Sequence, residues 1–62
     1  MKKLHSVVPY PGSYSWTTSS GTCYTVTDEG PCYTVFRNGE FIGAIDTADE
    51  LDAFAAANHY TA

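Results

Sequence analysis

Basic residues are scarce: Lys2, Lys3 and Arg37 are the only three among 62, and charged residues of both signs reach just 16%, against the usual ~25%. So few cations exclude the general phosphate-backbone binding that a basic surface provides. Cysteine is equally sparse. Cys23 and Cys32 could close at most one bridge, whereas disulfide-stapled mini-domains carry four or more half-cystines, so free thiols are expected. With His5 and His59 the cysteines form neither a Cys-x-x-Cys nor a His-x₃-His spacing, and no metal site is expected from them. Long apolar runs are missing too. Met1-Lys2-Lys3-Leu4 is followed by His5, Ser6, Pro9 and Pro11 instead of the roughly 7–15 apolar residues of a secretory signal. Nothing approaches the ~18 apolar residues of a membrane span. The expectation is a cytoplasmic protein with no membrane partner.

What the chain does contain points to β structure. Eight Thr and five Ser stand where charge is missing, accompanied by nine aromatic residues, a composition that favours pleated strands. The acidic residues are segregated. Lys2 and Lys3 give residues 1–27 a charge of +2, while Asp28, Glu29, Glu40, Asp46, Asp49, Glu50 and Asp52 against Arg37 give residues 28–62 a charge of −6. An acidic surface keeps a small protein soluble and favours basic partners. At this length one domain is expected over 1–62, able to bury only about 60% of the surface its unfolded chain exposes.

Turn signals fall at Pro9-Tyr10-Pro11-Gly12, Ser19-Ser20-Gly21, Asp28-Glu29-Gly30-Pro31 and Asn38-Gly39, and between them lie short segments rich in Thr, Tyr, Val and Phe. That spacing predicts an antiparallel meander over 13–46, with 1–12 as an arm or short strand. Asn-Gly is the dipeptide best suited to a type I′ turn, because both central residues need positive φ. Pairing Arg37 with Glu40 then sets Phe36 against Phe41, Val35 against Ile42 and Tyr33 against Ala44, with a cross-strand ion pair at the turn. Carried back through the chain, the same reasoning sets Val26 against Tyr33, Tyr24 against Val35, Trp16 against Tyr24 and Tyr14 against Val26. One face then holds Tyr14, Trp16, Tyr24, Val26, Tyr33, Val35, Ile42 and Ala44. The other holds Ser13, Ser15, Thr17, Cys23, Thr25, Thr27, Cys32 and Thr34, turning apolar only at Phe36, Phe41 and Ile45. Such alternation assigns the first face to the core, with the cysteines on the second face too far apart to bond.

A helix is predicted over 47–58. Thr47 is placed to cap it, Glu50 lies three residues on, and Asp46, Asp49 and Glu50 suit its positive end. Leu51, Phe54, Ala55 and Asn58 fall on one side at helical spacing and are expected to dock on Val26, Val35 and Ile42. The fold class is therefore α+β: three or four antiparallel strands in a meander with one C-terminal helix packed on one face.

No reactive constellation stands out. Neither cysteine sits in a sequence that would lower a thiol pKa, and the carboxylates at 46, 49, 50 and 52 lack the alternation and central Gly of a calcium loop. Asp46 would repel an anion from the only turn that precedes a helix. A catalytic site, a cofactor and a metal are all absent from the expectation, so the chain reads as non-enzymatic. Tyr14, Trp16, Tyr24 and Tyr33 suit core packing better than base stacking, since no cation lies between Lys3 and Arg37. Tyr10 and Tyr60, in loop and tail, are the aromatics expected to be exposed.

Phe36, Phe41 and Ile45 form a small apolar cluster beside Arg37, Glu40 and the Asn-Gly turn. Two arrangements compete: a partner-binding patch rimmed by charge, or a site covered by Leu4, Val7 and Val8 as the N-terminal segment folds across. Residues 22–58 also resemble three-stranded-sheet-plus-helix modules such as the arm-binding domains of phage integrases. The resemblance rests on Tyr33-Thr34-Val35, Asn38-Gly39, Gly43, Asp46-Thr47 and the helix with Leu51, Phe54 and Ala55. Those modules read DNA with basic strands, and here the strands carry Thr, Tyr and Ser, so the DNA-contacting role does not carry over.

The functional expectation is a small acidic protein-binding module, in its most concrete form a phage- or mobile-element-encoded inhibitor of a host protein. Phe36, Arg37, Glu40, Phe41, Asp49 and Asp52 are its candidate partner-binding residues, facing a basic or apolar patch. Two alternatives remain: a nucleic-acid mimic that blocks a basic groove, and a weak nucleic-acid-binding module using Lys2, Lys3, Arg37 and exposed aromatics. A homodimer through an edge strand is a further possibility.

Overall fold

Each segment that alternates with period two forms a strand. The computed structural model describes residues 3–60: a 3₁₀ turn at Leu4–Ser6, strands β1 (Gly12–Thr17), β2 (Cys23–Asp28), β3 (Tyr33–Arg37) and β4 (Glu40–Ile45), and helix α1 (Ala48–Ala57). The strands form one antiparallel sheet in the order β1-β2-β3-β4, the meander expected of consecutive turns. Residues 4–8 contribute no strand to this sheet; Leu4–Ser6 form a 3₁₀ turn instead.

The register of β1 on β2 is as the sequence predicts, with Trp16 opposite Tyr24 and Tyr14 opposite Val26. Between β2 and β3 it differs by two residues: Val26 faces Val35 and Tyr24 faces Arg37. The cause is local. The Gly30 N–H donates to Asp28 Oδ1 at 2.9 Å and the Glu29 N–H donates to the Cys32 carbonyl at 2.9 Å, which moves the loop one residue along the chain. A slip of two leaves every side chain on its expected face.

The β3–β4 hairpin turns at Asn38 (φ 51°) and Gly39 (φ 85°), both positive as a type I′ turn requires. Asn38 also ties the turn to β2: its N–H donates to the Cys23 carbonyl at 2.7 Å, and its Oδ1 accepts from the Cys23 N–H at 3.0 Å. Arg37 faces Glu40 and Phe36 faces Phe41, but a register shift beside Val35 then sets Val35 against Gly43, Thr34 against Ala44 and Tyr33 against Ile45. The expected pairs Val35–Ile42 and Tyr33–Ala44 are thereby corrected. One extra residue on β4 reverses its parity, so Ile45 joins the core face while Ala44 is exposed.

Helix α1 begins where expected. Thr47 is extended (φ −125°, ψ 155°) and its Oγ1 accepts from the Glu50 N–H, while the Thr47 hydroxyl donates to Glu50 Oε1 at 3.0 Å. Leu51 and Ala55 are buried against Trp16, Tyr24, Val26 and Val35, with Phe54 packed at the edge of this core. Leu4 and Val8 complete it. Tyr60 is buried too, a correction to its expected exposure. His59 takes positive φ (64°) and the Tyr60 N–H returns to the Ala55 carbonyl at 2.9 Å, a Schellman closure that folds the Tyr60 ring back onto Trp16.

Candidate functional site

The helix, the 3₁₀ turn and Tyr60 all lie over one face of the sheet, which leaves the other to solvent. Across that open face the pairings line up Ser15, Thr25, Phe36 and Phe41 in one row and Ser13, Thr27, Thr34 and Ala44 in the next. The Ser15 and Thr25 hydroxyls bond to each other at 2.8 Å. The row of hydroxyls ends in two aromatic rings. Phe36 and Phe41 pack edge to face with centroids 5.8 Å apart, and Phe41 is 56% exposed.

Residues 4–8 do not cover these rings. Leu4 and Val8 are buried in the core beneath α1, so the arrangement in which the N-terminal segment folds over the phenylalanines is overturned. Ile45 leaves the expected cluster for the core face, a consequence of the β4 bulge. Arg37 and Glu40 adjoin the rings in sequence, both exposed, and face each other in register, but strand alternation sets them on the helix side of the sheet, with Tyr24 and Val35. The ion pair expected between them does not form; among the described residues the one basic side chain in contact with a carboxylate is His5, on Asp52.

The six candidate residues thus fall into two groups. Phe36, Arg37, Glu40 and Phe41 meet at the β3–β4 turn, whereas Asp49 and Asp52 stand on α1, in the other layer. Asp52 is engaged within the chain: its Oδ1 accepts from the His5 N–H at 3.1 Å and its Oδ2 lies 2.7 Å from His5 Nδ1. Burial alone would raise the Asp52 pKa, but the His5 N–H and ring, with the charges of His5 and Lys3, together hold it below the ordinary carboxylate value. Other acids also have local tasks. Asp28 turns the β2–β3 loop, Glu29 accepts from the Thr34 hydroxyl at 3.4 Å, and Glu50 binds the Thr47 hydroxyl. Glu40, Asp46 and Asp49 make no side-chain bond among the described residues and are exposed.

A second feature of this corner lies on the helix side of β4. Val35, Ile42, Gly43, Ala44, Ile45 and Phe54 line an open groove of about 210 Å³, and Ile42, expected in the core, is 38% exposed at its mouth. The signal for it was a lone glycine inside a strand pattern, which marks a bulge. Cys23 and Cys32 are free and half-buried, and no group of three or more metal-ligating side chains occurs among the described residues. No helix there is long and apolar enough to cross a membrane. No family model matches the chain, and no curated protein or solved structure is significantly similar to it.

Proposed function

We propose that this chain is a non-enzymatic protein-binding module, an adaptor or inhibitor, whose contact surface is centred on Phe36 and Phe41. The observation that carries the reading is the edge-to-face pair of rings on a bare sheet face, with Phe41 56% exposed. An aromatic left in water by a domain with so little core is costly unless a partner removes it from solvent, and aromatic anchors ringed by polar groups dominate binding at protein interfaces. Thr25, opposite Phe36 in the same row, and Thr34 in the next supply polar neighbours on that face. The neighbouring Ser and Thr hydroxyls extend the contact area with groups that bond to a partner's backbone or to water.

The test is affinity capture from a lysate of the source, followed by titration of the captured partner at low and high salt. The expected outcome is binding that persists at high salt and weakens by about tenfold or more in Phe41→Ala, the loss of an anchor worth ~1.4 kcal/mol or more. Phe41→Ala should cost about 1 kcal/mol of stability or less, the worth of its edge-to-face contact with Phe36, and leave the variant folded. The nucleic-acid-mimic reading makes the opposite forecast: affinity that collapses with salt and with Asp49→Lys, indifferent to Phe41. Four of the seven acids already have partners within the chain, which favours the aromatic anchor over a phosphate-like array.

A further inference from the structure

We propose that the groove between β4 and α1 receives an extended, basic segment of the protein partner, one apolar side chain of which enters beside Gly43. The proposal rests on the reading of the chain as a protein-binding module and names the chemistry of what it binds. Three observations carry it.

The first is the notch itself. Gly43 faces Val35 across the hairpin on the helix side, and a Cβ built there meets no atom within 4 Å. Its φ lies outside the left-handed region, so the backbone does not require glycine. A side chain at 43 would fill apolar space and favour the strand, yet the position is left empty in a domain short of core. The volume, about 210 Å³, is below the roughly 300–1,000 Å³ of sites that enclose small molecules. It suits one or two aliphatic side chains.

The second is the edge. Among the described residues β4 pairs only with β3, so its outer side presents backbone N–H and C=O groups along the groove, the arrangement used in recognition by strand addition. The Ile42–Gly43 bulge limits that pairing to a short stretch.

The third is charge. Glu40 opens β4 and Asp46 follows it, both exposed and without a side-chain bond among the described residues. Glu50 lies one helical turn before Phe54, on the same side of α1, with Oε1 held by the Thr47 hydroxyl, and Arg37 faces Glu40 across the hairpin on this side of the sheet. With Arg37 opposite Glu40 at one end, the uncompensated acidity lies at the Asp46 end of the notch, which selects lysine or arginine on that side of the inserted residue. The same acids also disfavour one register of pairing with a second copy of this chain. In antiparallel self-pairing about Gly43, Glu40 falls opposite Asp46 of the second copy at both ends, and like charges directly opposed are destabilising.

The experiment is a titration of the isotope-labelled protein with a short peptide of alternating lysine and leucine, followed by backbone amide shifts at low salt. The expected result is saturable shifts confined to residues 41–46 and the amides around Phe54. Neither the glutamate-for-lysine peptide nor the serine-for-leucine peptide should produce them. Gly43→Val, which fills the notch, is expected to weaken binding by about tenfold or more while raising the thermal midpoint by about 4 °C or more. A folded variant that no longer binds separates lost recognition from lost structure. The proposal is overturned by absent or diffuse shifts, by equal response to the serine peptide, or by undiminished binding in Gly43→Val. If Gly43→Val is silent against the captured partner while Phe41→Ala weakens it, the groove assignment fails and the protein-binding reading stands. If Phe41→Ala and Gly43→Val are both silent, the contact surface centred on Phe36 and Phe41 fails with it.

Discussion

Asn58 carries more of this structure than any other polar residue. Its backbone carbonyl accepts from Trp16 Nε1 at 3.0 Å, its Oδ1 accepts from the Tyr24 hydroxyl at 3.0 Å, and its Nδ2 donates to the Phe54 carbonyl at 2.8 Å. Trp16 and Tyr24 bury large apolar surfaces but bring polar tips with them, and those tips must be paired. One asparagine at the end of α1 satisfies both and closes the helix at the same time. Asn58→Ala should therefore destabilise by about 1–2 kcal/mol, because the half-buried Tyr24 hydroxyl loses its acceptor. The adjacent residue predicts the opposite sign. His59 holds φ at 64°, a conformation costing an L-residue roughly 1 kcal/mol and glycine almost nothing. His59→Gly should raise stability by about 0.5–1 kcal/mol, discounted for the greater freedom of glycine in the unfolded chain. Urea midpoints of the two variants check both signs. If both shift the same way, the C-terminal closure does not work as described.

At the scale of elements, each piece of the fold depends on a few side chains that fix its ends. Thr47 accepts from the Glu50 N–H at 3.2 Å, and α1 is a helix of 10 residues, short enough to persist only with caps and tertiary packing. Thr47→Ala should cost about 1 kcal/mol, read as a lower thermal midpoint with the native helical circular dichroism retained at low temperature. Ends of this kind are legible in a sequence because capping and turn chemistry are local: Thr47 with Glu50 and Asn38 with Gly39 carry their own instructions. Registers are legible only modulo two. The β2–β3 pairing differs by two residues from the simplest reading, yet Trp16, Tyr24, Val26 and Val35 remain buried, because hydrophobic alternation repeats at that interval. The β4 bulge is another matter. Inserting one residue moves Ile45 into the core and Ile42 to the groove mouth, and apolar residues on both faces of β4 leave alternation unable to tell the parities apart. The Phe36–Phe41 pair was legible because it lies before the bulge. The groove was not, because it is made by the bulge and by a helix placed against it.

The whole molecule measures 31 × 27 × 17 Å, a thin two-layer slab with one sheet face bare. Such a slab has little interior, so the N-terminal segment must add to it, and Leu4 and Val8 do so. What holds that segment in place is a contact 47 residues apart in sequence, the His5 N–H and ring on the Asp52 carboxylate. A carboxylate offers no proton, so His5 Nδ1 carries the hydrogen of the 2.7 Å contact. Because the folded state holds the Asp52 pKa below its ordinary value, the unfolded chain binds a proton there first as pH falls. The stabilisation is thus complete above the unfolded aspartate value of about 3.9 and is lost as pH drops through the lower folded value. Asp52→Asn removes the ionised acceptor. Near neutral pH it should lower stability by on the order of 1 kcal/mol, the worth of a partly exposed charge-assisted hydrogen bond. Below the folded pKa the two proteins should converge, since a protonated Asp52 and the asparagine that replaces it are both neutral. Urea midpoints measured from neutral pH down to about pH 2 check this. Curves that stay parallel across the acid range would place the acid sensitivity of the fold elsewhere among its seven carboxylates and leave the N-terminal segment held by Leu4 and Val8 alone.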